Sequence, residues 1–317
     1  MSITITGGIT FTGAGVTLVS GAAGAPTQKA IFGYGFTTTQ VSMTNLVSNT
    51  GVVATDTTGV GTARYMLAAA GYGNDKAIFG FGWTGSYTAV TNLVSNTGVV
   101  SANTTGVGQT RRALAAATYG NDKAIFGYGM TTQVSGGGSG VSITNLVDNT
   151  GVVATDTTGV GTARQGLAAA GYGGDKAIFG WGDNNAGIEY SMVNLVSNTG
   201  VVASDTTTSS TLRTNLAATG YGSDKAIFVY GFPASFARFT KISNTGVVAA
   251  DTSTTGTSRY QLAAAGYGTD KAILGYGYAS GRVSMSNLVS NTGVVATDTT
   301  GVGTARYQLA AAGYSTT

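Results

Sequence analysis

Residues 64–82 read Arg-Tyr-Met-Leu-Ala-Ala-Ala-Gly-Tyr-Gly-Asn-Asp-Lys-Ala-Ile-Phe-Gly-Phe-Gly, and this stretch decides the fold. Its Leu-Ala-Ala-Ala run is short and made of small residues, which favours a strand in a crowded centre. Gly-Asn-Asp is typical of a tight hairpin turn. In Lys-Ala-Ile-Phe-Gly-Phe-Gly every residue after the Lys is apolar, so both faces of the predicted second strand are apolar. This pattern predicts a strand that is packed on both faces.

The residues that follow complete a unit of four strands. Val90 to Val94 predict a third strand, and Ser95 to Gly98 predict a turn in which glycine supplies a positive φ angle. Val99 begins a fourth strand, after which Thr and Ser dominate, as suits a solvated sheet edge. No helical period appears in the unit.

Three short motifs, which we call the marks of the repeat, each occur six times along the chain. They are Lys-Ala-Ile, Asn-Thr-Gly-Val-Val, and an Arg that shortly precedes Leu-Ala-Ala. Successive Lys-Ala-Ile marks are 47, 47, 53, 49 and 46 residues apart. A period near fifty with strand-like content indicates radial repetition and predicts a six-bladed β-propeller. The marks begin at Lys29, Lys76, Lys123, Lys176, Lys225 and Lys271, at Asn49, Asn96, Asn149, Asn198, Asn244 and Asn291, and at Arg64, Arg111, Arg164, Arg213, Arg259 and Arg306.

The phase of the repeat predicts how the ends of the chain meet. The array starts at a second strand, at Lys29, and finishes after a first strand, between Arg306 and Tyr314. We therefore expect the C-terminal strand to complete the first blade, which would remove an open sheet edge. The predicted domains are an N-terminal β-rich arm, residues 1–28, and a propeller, residues 29–317.

Composition excludes several classes of chemistry. The chain of 317 residues has 51 Gly, 2 Pro, no Cys and no His. Without Cys and His there is no disulfide, Fe–S cluster or Cys/His zinc site, and neither a Ser-His-Asp nor a Cys-His arrangement for catalysis. An oxygen-only Ca²⁺ or Mg²⁺ site remains open. We expect no cofactor and no metal.

The charge pattern also limits the partners. Net charge is +3 and charged residues make up 9% of the chain, with no Lys/Arg run, so no nucleic-acid footprint is expected. No apolar stretch of about 18 residues predicts membrane insertion. Residues 1–28 contain no Lys or Arg, so they lack the basic start of a secretory signal, and no signal peptide is expected.

The unit resembles a kelch repeat. An Arg precedes a small-residue strand, and the apolar strand ends in a glycine pair, as at Gly33 to Gly35 and Gly80 to Gly82. The outer-strand Trp of kelch repeats is absent, so the pattern is divergent. The resemblance covers residues 29–317 and implies a propeller; the copper site of galactose-oxidase-like enzymes would need His and Cys, which this chain lacks.

The Gly/Ile/Thr-rich start, from Met1 to Leu18, is similar to the starts of virion proteins of marine tailed bacteriophages, some of which carry kelch-like repeats. That resemblance implies a tail, fibre or decoration protein that is made in the host cytoplasm and assembled into the particle. Residues 1–28 would then anchor the chain to other virion proteins, by β-augmentation or by packing into a neighbouring subunit.

Differences between repeats indicate where a ligand would bind. Residues 47–65 are identical to residues 289–307, whereas the loops between second and third strands differ, at 36–40, 83–87, 130–142, 183–190, 232–239 and 278–282. Aromatic rings among isolated polar groups suit stacking on sugars or a protein interface, although loop drift would also produce variation. The candidate ligand-binding residues are Trp83, Tyr87, Trp181, Asp183, Glu189, Tyr190, Phe236, Arg238, Tyr278 and Arg282.

The repeated charges have a structural and a functional interpretation. The six Arg could form an anion site at one channel mouth. The favoured interpretation is structural: in every repeat the Arg donates hydrogen bonds to neighbouring loop carbonyls or to an Asp. The Asp-Thr pairs, beginning with Asp56, offer one carboxylate per repeat, too few for Ca²⁺, and predict Asx turns. The Asp-Lys pairs predict weak surface ion pairs.

The sequence therefore predicts a non-enzymatic phage virion protein whose propeller is displayed to bind a host-surface glycan or another protein. A soluble lectin-like propeller is the alternative. A glycosidase is a third hypothesis, because Asp183 and Glu189 share a loop and are the kind of carboxylate pair that cleaves glycosides.

Overall fold

The computed structural model describes residues 9–10, 19–20, 27–134, 137–233 and 237–316. The predicted all-β class is confirmed, since every regular element in these ranges is a strand of a small antiparallel sheet. Within the same ranges there is no helix with the length and hydropathy needed to cross a membrane. Two short strands, β1 (Ile9–Thr10) and β2 (Val19–Ser20), pair with each other, and the rest of the predicted arm before Thr27 lies outside the described residues.

Six sheets contain the repeat, and we number them I to VI in the order of their second strands. Strands are numbered along the chain, and the loop after the second strand of sheet III contains a further pair, β10 (Met130–Val134) and β11 (Gly137–Gly140). The first strands are β24 (Ala310–Thr316), β5 (Ala68–Tyr72), β8 (Ala115–Tyr119), β13 (Ala168–Tyr172), β17 (Ala217–Tyr221) and β21 (Ala263–Tyr267). The second strands are β3 (Thr27–Gly33), β6 (Lys76–Trp83), β9 (Lys123–Gly127), β14 (Lys176–Gly180), β18 (Lys225–Val229) and β22 (Lys271–Gly275). The third strands are β4 (Thr44–Val47), β7 (Tyr87–Val94), β12 (Thr144–Val147), β15 (Met192–Val196), β19 (Arg238–Ile242) and β23 (Ser286–Val289).

The chain ends at the sheet in which the repeat begins. β24 pairs with β3 from Ala310 opposite Gly33 to Thr316 opposite Thr27, so sheet I combines residues from both ends of the chain. The first strands also adjoin one another in cyclic order, from β5 through β8, β13, β17 and β21 to β24 and back to β5. A cavity of about 320 Å³ lies among them, lined mainly by their Ala, Gly and Thr residues.

At five of the six contacts between sheets, the Phe of a second strand packs against a glycine of the preceding sheet; between sheets V and VI the two positions hold Val229 and Leu274. Phe79 is fully buried, and its ring packs against Gly33 so closely that a Cβ on this glycine would be only 2.7 Å from the Phe79 Cζ atom. Gly80 receives Phe126 in the same way, also at 2.7 Å. Each buried Phe contributes about 1.5–3 kcal/mol by leaving water. A side chain at these glycines would force the sheets apart.

The fourth strand is shorter than the sequence predicts. Sheets IV and V have two-residue fourth strands, β16 (Thr206–Thr207) and β20 (Thr252–Ser253), while the other repeats make isolated bridges such as Thr91 to Thr104. The residues of this strand are exposed Thr and Ser, so burial does not favour a longer ladder. The neighbouring Asp, or Asn103 in sheet II, binds the segment that leads into the same sheet, whether or not a fourth strand is present.

Each repeat Arg is completely buried and holds two sheets together. Arg306 donates to the carbonyl of Tyr34 at 2.9 Å and to Asn45 Oδ1 at 2.6 Å, both in sheet I. Its guanidinium also lies 4.2 Å from the ring centroid of Tyr276, in sheet VI. The equivalent Arg64 bonds Phe81 and lies over Tyr34. These contacts make the six Arg structural, and their burial leaves no ring of exposed guanidinium groups.

The Asx-turn interpretation of the repeat Asp is wrong. Asp205 accepts hydrogen bonds from the backbone and hydroxyl of Thr162, at 2.9 and 2.6 Å, and from Asn194 at 2.9 Å. Thr162 belongs to the segment that leads into sheet IV, 43 residues away. The carboxylate therefore fastens that connecting segment to its sheet. The Asp-Lys pairs are surface ion pairs as predicted, with Lys76 2.6 Å from Asp75.

Candidate functional site

The loops after the second strands meet the connecting segments on one face of the molecule. In every repeat the residue after the buried Arg forms a backbone bridge with the residue after the glycine pair. These bridges place two side chains per repeat beside the start of the first strand. The bridged pairs are Tyr307–Phe36, Tyr65–Trp83, Arg112–Met130, Gln165–Asp183, Thr214–Phe232 and Tyr260–Tyr278, in sheets I to VI.

A ring of backbone hydrogen bonds holds these pairs in place. The next residue of each repeat has a positive φ between 54° and 61° and donates its N–H to the carbonyl of its counterpart in the preceding sheet, at 2.6–3.0 Å. The bonds run head to tail through all six repeats. The donors are Gln308, Gln261, Asn215, Gly166, Ala113 and Met66, whose own N–H returns to the carbonyl of Gln308.

Six of the bridged side chains form what we call the aromatic arc: Phe232, Tyr260, Tyr278, Tyr307, Phe36 and Tyr65. Successive ring centroids are 5.0–5.8 Å apart, and four of the five contacts are edge-to-face. Five of these rings are half-buried, and Phe232 is 46% exposed. The arc follows four consecutive sheets, from V through VI and I to II. It therefore offers a curved, continuous apolar surface beside the hydrogen-bond ring.

A second aromatic group continues the arc at its Tyr65 end. Trp83, which is bridged to Tyr65, makes an edge contact with Tyr87 at 4.9 Å. The guanidinium of Arg112 lies over both rings, 4.6 Å from that of Trp83 and 5.3 Å from that of Tyr87. Arg112 comes from sheet III, so this cation–π contact connects the end of the arc to the next repeat.

The remaining part of this face is acidic and hydrogen-bonded. Asp183 accepts from the hydroxyl of Thr214, from Gln165 at 3.2 Å and from the backbone of Asn185 at 2.7 Å. Asp183 also forms a backbone bridge with Glu189. Burial and the neighbouring charge of Asp183 together raise the pKa of Glu189. Because Thr214 is bridged to Phe232, this acidic group adjoins the other end of the arc.

The structure brings together five of the ten predicted site residues. Trp83, Tyr87 and Tyr278 lie in the arc or its continuation, and Asp183 and Glu189 form the acidic group. Arg282 is exposed and bridged to Tyr278, whereas Tyr190 and Arg238 are half-buried beside sheets IV and V. Phe236 lies outside the described residues.

Trp181 is not at this surface. It is fully buried, its indole packs 4.6 Å from the ring of Phe228, and Arg213 lies over it at 5.1 Å. Its Nε1 donates to the carbonyl of Thr211 at 3.1 Å. The same repeat position carries Tyr34 in sheet I, with the same kind of contact to an Arg. Trp181 therefore belongs to the packing between sheets.

Of the six rings of the arc, only that of Tyr278 is among the residues predicted from the sequence. Tyr65, Tyr260 and Tyr307 each directly follow a repeat Arg and lie outside the variable loops, which supply the predicted site residues. The available signal was a comparison between repeats, since that position is aromatic in three repeats and Arg, Gln or Thr in the others. Phe36 and Phe232 begin two of the variable loops but are not among the predicted site residues.

The central cavity offers little chemistry of its own. Ala, Gly and Thr line it, and the Lys side chains at one end pair with the preceding Asp, as Lys176 does with Asp175 at 2.9 Å. Among the residues that the structure describes, no three Asp or Glu side chains group in a way that would hold a metal ion. The aromatic arc with its acidic neighbour is therefore the candidate site.

No protein family model matches this chain, and no curated protein is found to be similar to it.

Proposed function

We propose that the six repeat sheets form a closed, six-bladed, kelch-like β-propeller, and that this propeller is a non-enzymatic binding module whose aromatic arc binds carbohydrate. The observation that carries the function is the arc itself. Six aromatic rings from four sheets lie in contact on one face, although nothing in the packing of the sheets needs them there.

The architecture is supported by the cyclic order of the first strands and by the pairing of β24 with β3. The ring of hydrogen bonds from Met66 round to Gln308 supports it independently, because a head-to-tail ring needs all six repeats arranged about one axis. The buried Arg adds a third line of support, since Arg306 links sheet VI to sheet I in the same way that Arg64 links I to II.

The chemistry of the arc suits sugars. Pyranose rings present faces of C–H groups that pack on aromatic rings, while their hydroxyl groups need donors and acceptors nearby. Tyr260, Tyr278 and Tyr307 carry hydroxyl groups on the arc, and the acidic group at one end supplies carboxylate acceptors. Because the arc is an open surface beside a backbone ring, it fits a sugar chain lying along it better than a small molecule enclosed in a pocket.

For the setting, we propose a tailed-phage virion protein, on the resemblance of residues 1–28 and of the repeats. Residues 1–28 would anchor the chain to other virion proteins, and the arc would face the host surface. Deletion of residues 1–26, which leaves β3 whole, tests this setting, because the shortened protein should no longer assemble on particles while retaining its glycan binding.

A glycan array followed by titration tests the binding function. The unmodified chain should bind at least one class of oligosaccharide, and Phe232→Ala and Tyr278→Ala should each weaken that binding by roughly tenfold, about 1.4 kcal/mol. Leu212→Ala is the matched control, because Leu212 is an exposed apolar residue, 50% accessible, that is not part of the arc. Absence of binding to any glycan, or an equal loss in the control, would reject the proposal.

A glycosidase is the second candidate, favoured by the raised pKa of Glu189 beside Asp183. A raised pKa favours the protonated form of the carboxyl group, which is the form that a general acid needs. Product analysis with any bound glycan separates the two functions. Hydrolysis that disappears in Glu189→Gln, with binding retained, would favour the enzyme over the binding module.

A further inference from the structure

Arg112 extends the aromatic arc with a planar cation. The side chain comes from sheet III, and its guanidinium lies 4.6 Å from the ring centroid of Trp83 and 5.3 Å from that of Tyr87, both in the loop of sheet II. Tyr65 holds the same position in the preceding repeat, where its ring contacts Phe36 at 5.0 Å. The contact of Arg112 with Trp83 is therefore the equivalent of a ring contact in the arc, with a cation in place of the second ring.

The guanidinium of Arg112 has no acceptor within the described ranges. Its Nε is enclosed without a hydrogen-bond partner, while its two Nη groups stay open to solvent. The hydroxyl of Tyr87, in the same contact group, is also enclosed without a partner. The adjoining Arg111, by contrast, donates to Asn145 at 2.5 Å and lies 3.6 Å from Asp156. Because folded proteins rarely leave buried polar groups unpaired, this site lacks acceptors that a ligand can supply.

The charge of Arg112 is not neutralised by the neighbouring chain. Between residues 76 and 147 the sequence has one acid, Asp122, and it pairs with Lys123 at 2.8 Å in the turn at the far end of the first strand. The acidic group that contains Asp183 belongs to sheet IV, whereas the side chain of Arg112 extends back over sheet II. Arg112 is thus a fixed cation without a counter-charge, on the face that carries the arc.

We propose that the arc binds an acidic oligosaccharide and that Arg112 holds its carboxylate or sulfate group. The two Nη groups offer parallel N–H bonds to one oxyanion, which is how a guanidinium binds such groups, and the rings of Trp83 and Tyr87 keep it oriented before the ligand arrives. Neutral sugars of the same ligand lie along the arc. This inference rests on the proposed carbohydrate binding and adds the charge of the ligand.

The acidic group restricts how much charge the ligand carries. Asp183 and Glu189 adjoin the Phe232 end of the arc, and they would repel a chain that is charged on every sugar. A ligand with one acidic sugar beside neutral ones meets Arg112 at one end of the arc and leaves the other end uncharged. The geometry therefore favours an isolated acidic sugar over a polyanion.

Matched pairs of glycans test the charge of the ligand. Each pair on an array consists of a neutral oligosaccharide and the same oligosaccharide with one uronate in place of a neutral sugar, or with one added sulfate. The unmodified chain should bind the acidic member of at least one pair roughly tenfold more tightly, and salt should reduce this preference. The uronate and sulfate pairs identify the anion. Equal binding of both members overturns this inference and leaves carbohydrate binding standing, whereas no binding to any glycan rejects both.

Substitution of Arg112 tests the residue. Arg112→Gln should lower the affinity for the acidic member roughly tenfold and change that for the neutral member much less. Arg112→Lys keeps the charge but loses the planar fork, so it should retain only part of the preference. Lys241→Gln is the matched control. It also removes one positive charge, but Lys241 lies 6.0 Å from the ring centroid of Tyr221, where β17 ends, far from the arc.

The comparison of both members separates recognition from support of the fold. An equal loss for the acidic and the neutral glycan in Arg112→Gln would mean that Arg112 only supports Trp83, and an undiminished preference would place the anion elsewhere. A loss of preference in Lys241→Gln as large as in Arg112→Gln would mean that net charge alone decides. Each of these results overturns the proposal. If Arg112→Gln fails to fold, the matched pairs on the unmodified chain still decide, since they need no substitution.

Discussion

Thr304 lies 248 residues after Asp56, yet its backbone N–H and its hydroxyl both donate to the Asp56 carboxylate, at 2.9 and 2.6 Å. Two residues further on, Arg306 lies 3.7 Å from the same carboxylate. One side chain near the start of the repeats therefore fixes the segment that leads into the last strand. The two ends of the chain are joined by side chains as well as by the pairing of β24 with β3.

Removal of this carboxylate should cost stability. Asp56→Ala deprives Thr304 and Asn45 of their acceptor, and we expect a loss of about 2–3 kcal/mol in the free energy of unfolding. Asp56→Asn should cost less, because Asn103 occupies the equivalent position in sheet II and accepts from the backbone of Thr62 at 3.0 Å. Urea denaturation of both variants checks this prediction, which equal losses in the two variants would contradict.

Sheet II offers the opposite experiment. Arg64 is buried, its Nη2 has no hydrogen-bond partner, and no carboxylate among the described residues forms an ion pair with it. In sheet I the same position has Asp56 beside Arg306. We therefore expect Asn103→Asp to raise the free energy of unfolding by about 0.5–2 kcal/mol, by supplying the missing negative charge. Thermal denaturation in low and high salt measures this gain in stability. The control variant Asn103→Ala, which supplies no charge, should be less stable than the original chain.

On the acid side of neutrality, the repeat Asp should make stability depend on pH. Burial by itself would raise the pKa of Asp56, but hydrogen bonds from Thr304 and Asn45 and the charge of Arg306 outweigh it, so that its pKa is lowered from 3.8. Asp205, Asp251 and Asp298 are lowered in the same way. A carboxyl whose pKa is lower in the folded state contributes stability above its unfolded pKa, and this is lost as pH falls through the folded value.

The lowered pKa values of these Asp residues determine how the melting temperature should vary with pH. The melting temperature should change little between about pH 5 and 8, since the chain has no His, and should fall below about pH 4. Asp205→Asn should be less stable than the original chain near neutral pH, and its melting temperature should fall less on acidification. A decrease that begins well above pH 5 would mean that groups other than these four Asp dominate.

A circular permutant tests the closed arrangement. Thr316 and Thr27 are cross-strand partners, so a short linker from residue 317 to residue 27 should form a hairpin. The permutant that begins at Gly301 and ends at Thr300 should therefore fold and melt near the temperature of the original chain. A chain that simply ends at Thr300 exposes the edges of β3 and of sheet VI, and it should aggregate. Similar behaviour of the two variants would exclude the closed arrangement.

The strand pattern could be read from the sequence because it rests on local signals. Asn74 has a positive φ of 65° in the predicted turn, and Tyr72 pairs with Lys76 across it. The role of the repeat Asp could not be predicted in the same way. Asp205 finds its partner in Thr162, 43 residues away, and hydrophobic periodicity carries no trace of such a long-range bond.

The site was predicted in part, for an equally physical reason. Trp83 and Asp183 stood out because they interrupt the repeat, and the structure places both at the candidate site. Trp181 also interrupts the repeat, but in sheet IV it occupies the buried position that Tyr34 occupies in sheet I. The change of residue there therefore reflects packing between sheets. Tyr65 and Tyr307 looked like ordinary repeat residues, and only the three-dimensional arrangement shows that their rings both contact Phe36.

The hydrogen-bond ring beside the arc has one electrical consequence. Its six peptide groups point round the circle from Gln308 to Met66 and back, so their dipoles follow one another tangentially and their vector sum is close to zero. All six N–H groups are already occupied. This end of the molecule therefore lacks the concentrated positive potential with which a helix terminus or an open loop of amides attracts anions, and discrimination between ligands here falls to the side chains alone.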